Sequence, residues 1–182
     1  MSGNIILCGF MGCGKTSVGR RAAKLMGREF CDLDQYIEER EGLTVSEIFA
    51  RFGEEGFRQR EAQAAREAAG RPGLIIASGG GTVLAESNVR AFHQAGGLIV
   101  FLDTPLAALQ ERLKNDRRRP LLQVPDRREV IARLYAKRGP LYRAAADVTI
   151  DAGAPPGTVA RRLAALEFRL SEKNLDKKEK TE

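Results

Sequence analysis

The stretch "IILCGFMGCGKTSVGRRAAKLMG", Ile5 to Gly27, decides the fold. Four apolar residues, Ile5 to Cys8, run without polar alternation into "GFMGCGKT", and a helix-compatible segment follows from Lys15 to about Met26. The eight residues Gly9–Thr16 fit G-x-x-x-x-G-K-[ST] in full. Glycines at these positions let successive backbone N–H groups turn inward on phosphate oxygens, and the following helix adds the positive end of its dipole. In this pattern Lys15 reaches the β- and γ-phosphates and Thr16 offers its hydroxyl to Mg²⁺. The chain is expected to bind a nucleoside triphosphate.

Outward from this stretch, strands and helices alternate. "EFCDLD" reads as a second strand ending in two carboxylates, Asp32 and Asp34, on the same side of the strand. Thr44-x-x-Glu47 has the spacing of a capping box and opens a helix, and "GFRQREAQAAREAAG" is a strong helix former stopped by Gly70. "GLIIASGGG" is a buried strand meeting a second glycine turn, and "ESNVRAFHQAGG" is a helix with a glycine stop. "LIVFLD" is another apolar strand, after which Asp103 reads as a helix N-cap before Pro105. Leu106, Leu109 and Leu113 then recur at helical spacing. "KNDRRRPLLQVPD" is a basic, proline-broken loop. "RREVIARLYAKRGPLYRAA" is helical with a break expected near Gly139-Pro140, "DVTIDA" is a last strand, and Val159, Leu163, Leu166 and Leu170 share one face of a closing helix. Apolar strands alternating with helices imply a parallel sheet covered on both faces, a doubly wound α/β fold. In such sheets ligands bind beyond the carboxyl ends of the strands, where the glycine loop, the Asp pair and the second glycine turn all lie.

The 182 residues suit one domain, and no apolar run is long enough to span a membrane. No signal peptide is read at the N-terminus. The three cysteines show no C-x-x-C spacing and the one histidine, His93, has no Cys partner nearby, which argues against zinc and for reduced thiols in the cytoplasm. Cys8 and Cys31 read as core, whereas Cys13 in the glycine loop is expected to be exposed and oxidisable. The net charge of +6 allows a nucleic-acid partner, a solvated basic surface or a pocket for anionic small molecules.

The motifs narrow these options. Neither Asp-x-x-Gly with Asn-Lys-x-Asp, as in GTPases, nor a strand ending in Asp-Glu, as in mechanical ATPases, is present. Two carboxylates beside a phosphate loop suit two tasks, holding Mg²⁺ or its waters and deprotonating a hydroxyl nucleophile. Arg58, three residues before Glu61, is either paired on a solvated face or held by Glu61 to grip an acidic substrate. "SGGGTV" lets a small substrate approach bare backbone.

In order and spacing, GxxGxGKT, Asp-x-Asp, Phe-Arg-x-x-Glu, Gly-Gly-Gly, Arg-Pro-Leu-Leu and Lys-Arg-x-Pro-Leu-Tyr resemble the shikimate kinases, from about Asn4 to Leu170. The resemblance implies a P-loop kinase fold of the nucleoside-monophosphate-kinase type: one domain over residues 1–171, with a five-stranded parallel sheet flanked by helices on both faces. It also implies a mobile lid at about 113–125, and a charged, disordered tail is expected over 172–182. The implied reaction moves the γ-phosphoryl group of ATP to the 3-hydroxyl of shikimate, on the route to chorismate and the aromatic amino acids. By resemblance, Gly12, Cys13, Gly14, Lys15, Thr16 and Ser17 cradle the ATP phosphates, and Thr16 and Asp32 serve Mg²⁺. Asp34 holds the shikimate hydroxyls and is the base. Arg58 and Arg138 grip the shikimate carboxylate, Gly79, Gly80 and Gly81 line the ring, and Met11, Phe49 and Phe57 pack around it. A guanidinium fork matches a carboxylate bidentately, as lysine does not. Arg119 is the lid arginine that stabilises the transferring phosphoryl group, its register against Pro120 favouring it over Arg117 and Arg118. Arg112 lies near adenine, with the stretch around Gly153–Pro156 as the adenine loop. A related kinase for gluconate or a nucleoside monophosphate, and a nucleotide-dependent regulatory module, are the competing readings. A small-molecule enzyme acting as a monomer, without nucleic acid or membrane, is the expectation.

Overall fold

The computed structural model describes residues 3–116 and 122–179. Among them, five strands form one sheet: β1 (Ile5–Cys8), β2 (Glu29–Asp32), β3 (Leu74–Ala77), β4 (Leu98–Asp103) and β5 (Val148–Asp151). Their order is β2-β3-β1-β4-β5 and every pairing is parallel. Around them lie α1 (Lys15–Met26), α2 (Leu33–Glu41), α3 (Val45–Ala69), α4 (Glu86–Gln94), α5 (Leu106–Leu113), α6 (Arg127–Ala145) and α7 (Pro156–Glu179). The central strands β1 and β3 are buried at every residue, as their unbroken apolar sequence requires, while the edge strands β2 and β5 are partly exposed. From β1 the chain goes to β2 and β3 on one side, then passes over to β4 and β5 on the other, so the carboxyl end of β1 stands at the switch point of the sheet.

Local chemistry accounts for the element ends near the site. Gly12 and Gly14 have φ of 79° and 100°, backbone that L side chains rarely adopt, and Gly14 is the N-cap of α1. Thr44 and Glu47 form the expected capping box at the start of α3. Val159 and Leu163 of α7 are buried, and Leu166 packs against the core beside them.

Four expectations are corrected. Strand β2 stops at Asp32, and Asp34 lies in the first turn of a helix, not on the strand. The reason is a cap: the Asp32 carboxylate accepts from the Gln35 backbone N–H and turns the chain into α2. Asp103 caps no helix. It remains in β4 and its carboxylate accepts from the Tyr135 hydroxyl (3.0 Å) and from Arg143, while α5 starts after Pro105 with no side-chain cap. The helix α6 does not break at Gly139-Pro140 but continues through both. Proline removes one ladder bond there, and the flanking turns are held by buried Val130, Ile131 and Tyr142. Cys13 is buried rather than exposed, its sulfur turned in beneath the loop beside Gly9. The helix α7 continues to Glu179. Residues 117–121, which include Arg119 and the centre of the expected lid, lie outside the described residues, as do 180–182.

Candidate active site

A cleft of about 740 Å³ opens at the carboxyl ends of β1 and β3. It runs from the phosphate loop, Met11 to Ser17, past Asp32 and Asp34 to Ser78 and Gly80. Internal hydrogen bonds hold the loop. The Lys15 ammonium donates to the carbonyls of Gly9 (2.8 Å) and Phe10 (3.4 Å), which hold it against the loop. Arg112 donates to the carbonyls of Gly12 and Cys13 with one nitrogen and of Ala152 and Gly153 with the other. It thereby ties the phosphate loop to the stretch read as the adenine loop.

Two carboxylates stand on the opposite wall in unlike surroundings. Asp32 accepts from the Thr16 hydroxyl at 2.7 Å, which joins the first turn of α1 to the end of β2. Asp34 sits deeper. Burial, reinforced by the nearby charges of Asp32, Glu61 and Glu38 and opposed by Lys15, pushes its carboxyl up from 3.8 to about 6. That is close to the value a general base needs at neutral pH.

The glycine turn after β3 closes the cleft. A Cβ on Gly79 would stand 2.7 Å from an Asp34 oxygen and 2.8 Å from a Glu61 oxygen, and one on Gly81 would strike the Arg58 guanidinium. The turn is therefore glycine because three functional side chains lie against it. Glu61, 1 % exposed, accepts from Arg58 at 2.6 Å and from the Thr82 hydroxyl at 2.7 Å. This favours the second of the two readings of Arg58: its partner is buried, so the pair is not a solvated one. Phe57 lies beneath the guanidinium, and Phe49 stacks on Phe57 with ring centroids 4.6 Å apart.

From the other side, α6 reaches the turn through Tyr142, whose hydroxyl donates to the Gly80 carbonyl at 2.5 Å and lies within the field of the Arg138 charge. Of the residues expected at the site, Gly12, Gly14–Ser17, Asp32, Asp34 and Gly80 line the cleft, Gly79 lies against Asp34, and Gly81 against Arg58. Arg112 stands behind the loop as a brace, and Arg119 lies outside the described residues. Thr82 and Tyr142 carried no assignment in the sequence reading. The signal for Tyr142 was available, since it follows Arg138 by four residues and so shares its helix face.

Oxygen donors alone, a hydroxyl and a carboxylate 2.7 Å apart, suit a hard divalent cation. No cluster of three or more metal-binding side chains occurs among the described residues, so such an ion would complete its shell with phosphate oxygens and water, as Mg²⁺ does.

Comparison with known proteins agrees with this geometry. The family model described as shikimate kinase matches residues 11–166. The shikimate kinase of Aromatoleum aromaticum is 48% identical over 160 residues, covering 87% of this chain and 91% of the relative. That of Bordetella avium is 43% identical, covering 94% of this chain and 81% of the relative. Among solved structures, the shikimate kinase of Acinetobacter baumannii in complex with shikimate superposes with a TM-score of 0.83 at 40% identity, covering 96% of this chain and 95% of that one. The phosphate loop with Asp32 and Asp34 beside it in one cleft agrees with these matches, which place the chain in the shikimate kinase family.

Proposed function

We propose that the chain is an ATP-dependent shikimate kinase that transfers the γ-phosphoryl group of ATP to the 3-hydroxyl of shikimate, giving shikimate 3-phosphate and ADP, in the biosynthesis of aromatic amino acids. One observation carries the assignment of roles: Asp34, a half-buried carboxylate poised near neutrality, shares the glycine turn with Arg58 and faces the phosphate loop.

Asp34 accepts the proton of the attacking hydroxyl. The oxygen of that hydroxyl then forms the bond to the γ-phosphorus, and the bond from that phosphorus to the β–γ bridging oxygen breaks, leaving ADP. Lys15 and the backbone amides of Gly12–Ser17 meet the charge on the phosphates, which is where phosphoryl-transfer catalysis chiefly acts. Thr16 and Asp32 hold Mg²⁺, which when bound neutralises phosphate charge. Arg58, which lies against Gly81, and Arg138 grip the carboxylate, so the acceptor hydroxyl is oriented by a charge at the far end of the ring. Arg119 carries the lid role on its register against Pro120 alone. The enzyme works as a cytoplasmic monomer on small molecules, with no nucleic acid or membrane. In support, all three cysteines are unpaired, and no helix among the described residues is long and apolar enough to cross a membrane.

The test is ADP release with ATP and Mg²⁺ in the presence of shikimate, quinate, gluconate, AMP or CMP. Release with shikimate alone is expected. Release with gluconate or a nucleotide instead would keep the kinase and discard the carboxylate clamp. No acceptor-dependent release, with ATP still bound, would favour a regulatory module.

Arg58→Lys keeps the charge and loses the fork. Two charge-assisted hydrogen bonds to a carboxylate cannot both be made by one ammonium, so the KM for shikimate is expected to rise about tenfold or more while the KM for ATP stays unchanged. Steady-state kinetics at varied shikimate checks this, and an unchanged KM for shikimate would remove Arg58 from the clamp.

A further inference from the structure

Glu61 is a carboxylate shut away from water, and two groups meet its charge. One oxygen, Oε2, accepts from the Arg58 guanidinium at 2.6 Å, and the other, Oε1, accepts from the Thr82 hydroxyl at 2.7 Å. A buried carboxylate is costly unless donors reach both of its oxygens. Thr82 is itself fully buried, and a valine would fill the same space. Packing therefore asks for no hydroxyl at this position. Its proton serves the Glu61 oxygen that Arg58 leaves free.

Thr82 is placed independently of Glu61. It opens a short 3₁₀ turn, Thr82–Leu84, directly after Gly79–Gly81. Its carbonyl accepts from the buried Asn88 side chain at 2.9 Å, and its backbone N–H donates to the Gly79 carbonyl. The glycine turn packs on the same contact: a Cβ on Gly79 would stand 2.8 Å from Oε1 of Glu61 and 3.0 Å from the Thr82 hydroxyl. A line of hydrogen bonds thus runs from Asn88 through Thr82 and Glu61 to the Arg58 guanidinium, which lies against Gly81. Beyond Glu61 the fork is loosely engaged. Its second nitrogen, Nη2, meets Glu54 at 3.4 Å, and that side chain is 74 % exposed. Such a pair contributes little and yields readily to a carboxylate bound in the cleft. If the Thr82 hydroxyl were missing, Glu61 would be drawn to give both oxygens to Arg58, and the fork would be spent on Glu61.

We propose that Thr82 is a positioning residue for the acceptor: by occupying Oε1 of Glu61, its hydroxyl confines Glu61 to one nitrogen of Arg58 and leaves the other end of the fork for the substrate carboxylate. The role rests on the proposed assignment of Arg58 to that carboxylate. Thr82 acts through Glu61 and Arg58, takes no part in proton transfer, and leaves nucleotide binding alone.

Thr82→Val in the full chain removes the hydroxyl and keeps the shape. The KM for shikimate is expected to rise about three- to tenfold, as for one lost hydrogen bond to a charged group, with the KM for ATP within about twofold of wild type. Thr82→Ser keeps the hydroxyl and drops the methyl group, and is expected to hold both KM values within about twofold of wild type. An unchanged KM for shikimate in Thr82→Val would overturn the proposal. So would a parallel rise in both KM values, or a Thr82→Ser variant as impaired as Thr82→Val, since packing of the methyl group would then be what matters. Should the valine variant fail to fold, Thr82→Cys reads the same loss, because a thiol is a weak donor, and a normal KM for shikimate there would likewise overturn the role. In an Arg58→Ala background there is no fork to keep open. Thr82→Val is expected to change the KM for shikimate less than about twofold in that background, and a full, additive effect would refute the coupling. Failure of the underlying assignment reads differently. If Arg58→Lys leaves the KM for shikimate unchanged, the carboxylate clamp falls and the positioning role with it. If Arg58→Lys raises that KM and Thr82→Val does not, only the role of Thr82 falls.

Discussion

Replacing Asp34 by Asn is expected to lower kcat by about two to four orders of magnitude and, at the same time, to raise the thermal midpoint. The first effect is the loss of a general base placed against the acceptor hydroxyl. An amide of the same shape keeps the packing and can still donate a hydrogen bond, but it cannot take the proton. The second effect follows from the cost of keeping that carboxylate charged. An unfolded aspartate titrates near 3.8 and the folded one near 6, so between these values the folded protein holds a proton that the unfolded chain has released. Stability therefore falls as pH rises through that window and stays lower above it. At 1.36 kcal/mol per pH unit, the displacement from 3.8 to about 6 corresponds to roughly 3 kcal/mol at neutral pH, of which Asn is relieved. Differential scanning calorimetry at pH 7.5, beside an ADP-release assay, reads both effects. A variant that is less active and also less stable would indicate structural damage, and one with near-normal kcat would remove Asp34 as the base. The same carboxyl sets the acid limb of the wild-type profile. The kcat/KM for shikimate is expected to be level above about pH 6 and to fall tenfold per unit below it.

Lys15→Met is expected to reduce kcat by about two to three orders of magnitude and to weaken ATP, with shikimate binding retained. Methionine matches the length of the chain but brings no charge to the phosphates. Structural loss should be small, because the lysine's partners, the Gly9 and Phe10 carbonyls at 2.8 and 3.4 Å and the Cys13 sulfur, all belong to its own loop. Nucleotide binding by calorimetry, followed by shikimate titration, separates the two ligands. Equal loss of both would point to collapse of the loop, and an active variant would exclude Lys15 from the chemistry.

Much of this site is legible along the chain, and the reason is local. A phosphate loop is made by consecutive backbone amides, so the residues that permit it, Gly12 and Gly14 with positive φ, must be neighbours in sequence. The parallel sheet announces itself because strands buried on both faces have no reason to alternate, and β1 and β3 are apolar at every position. Arg58 and Glu61 are read together because three residues on a helix bring side chains to one face.

Elsewhere the pattern leaves two outcomes open. Asp-x-Asp reads equally as two residues on one face of a strand or as a strand end followed by a helix. The Asp32 cap on Gln35 selects the second and swings Asp34 inward, toward Gly79 and Lys15. Asp103 before Thr104-Pro105 looks like a cap, yet Tyr135 and Arg143 of α6 claim its carboxylate. Cys13 sits in a loop that sequence would expose, but its side chain turns beneath that loop, away from solvent.

What the sequence determined by itself was therefore the phosphate loop, the parallel α/β architecture and the inventory of charged groups, because each depends on residues within a turn or two of one another. What only the tertiary structure decided was which of those groups face each other. Thr16 meets Asp32, Arg58 lies against Gly81, and Tyr142 reaches the Gly80 carbonyl only once the parallel strands bring their carboxyl ends together. The burial that lifts Asp34 toward neutrality is likewise a property of the packed cleft, since desolvation is set by everything that surrounds a group and not by its neighbours in the chain.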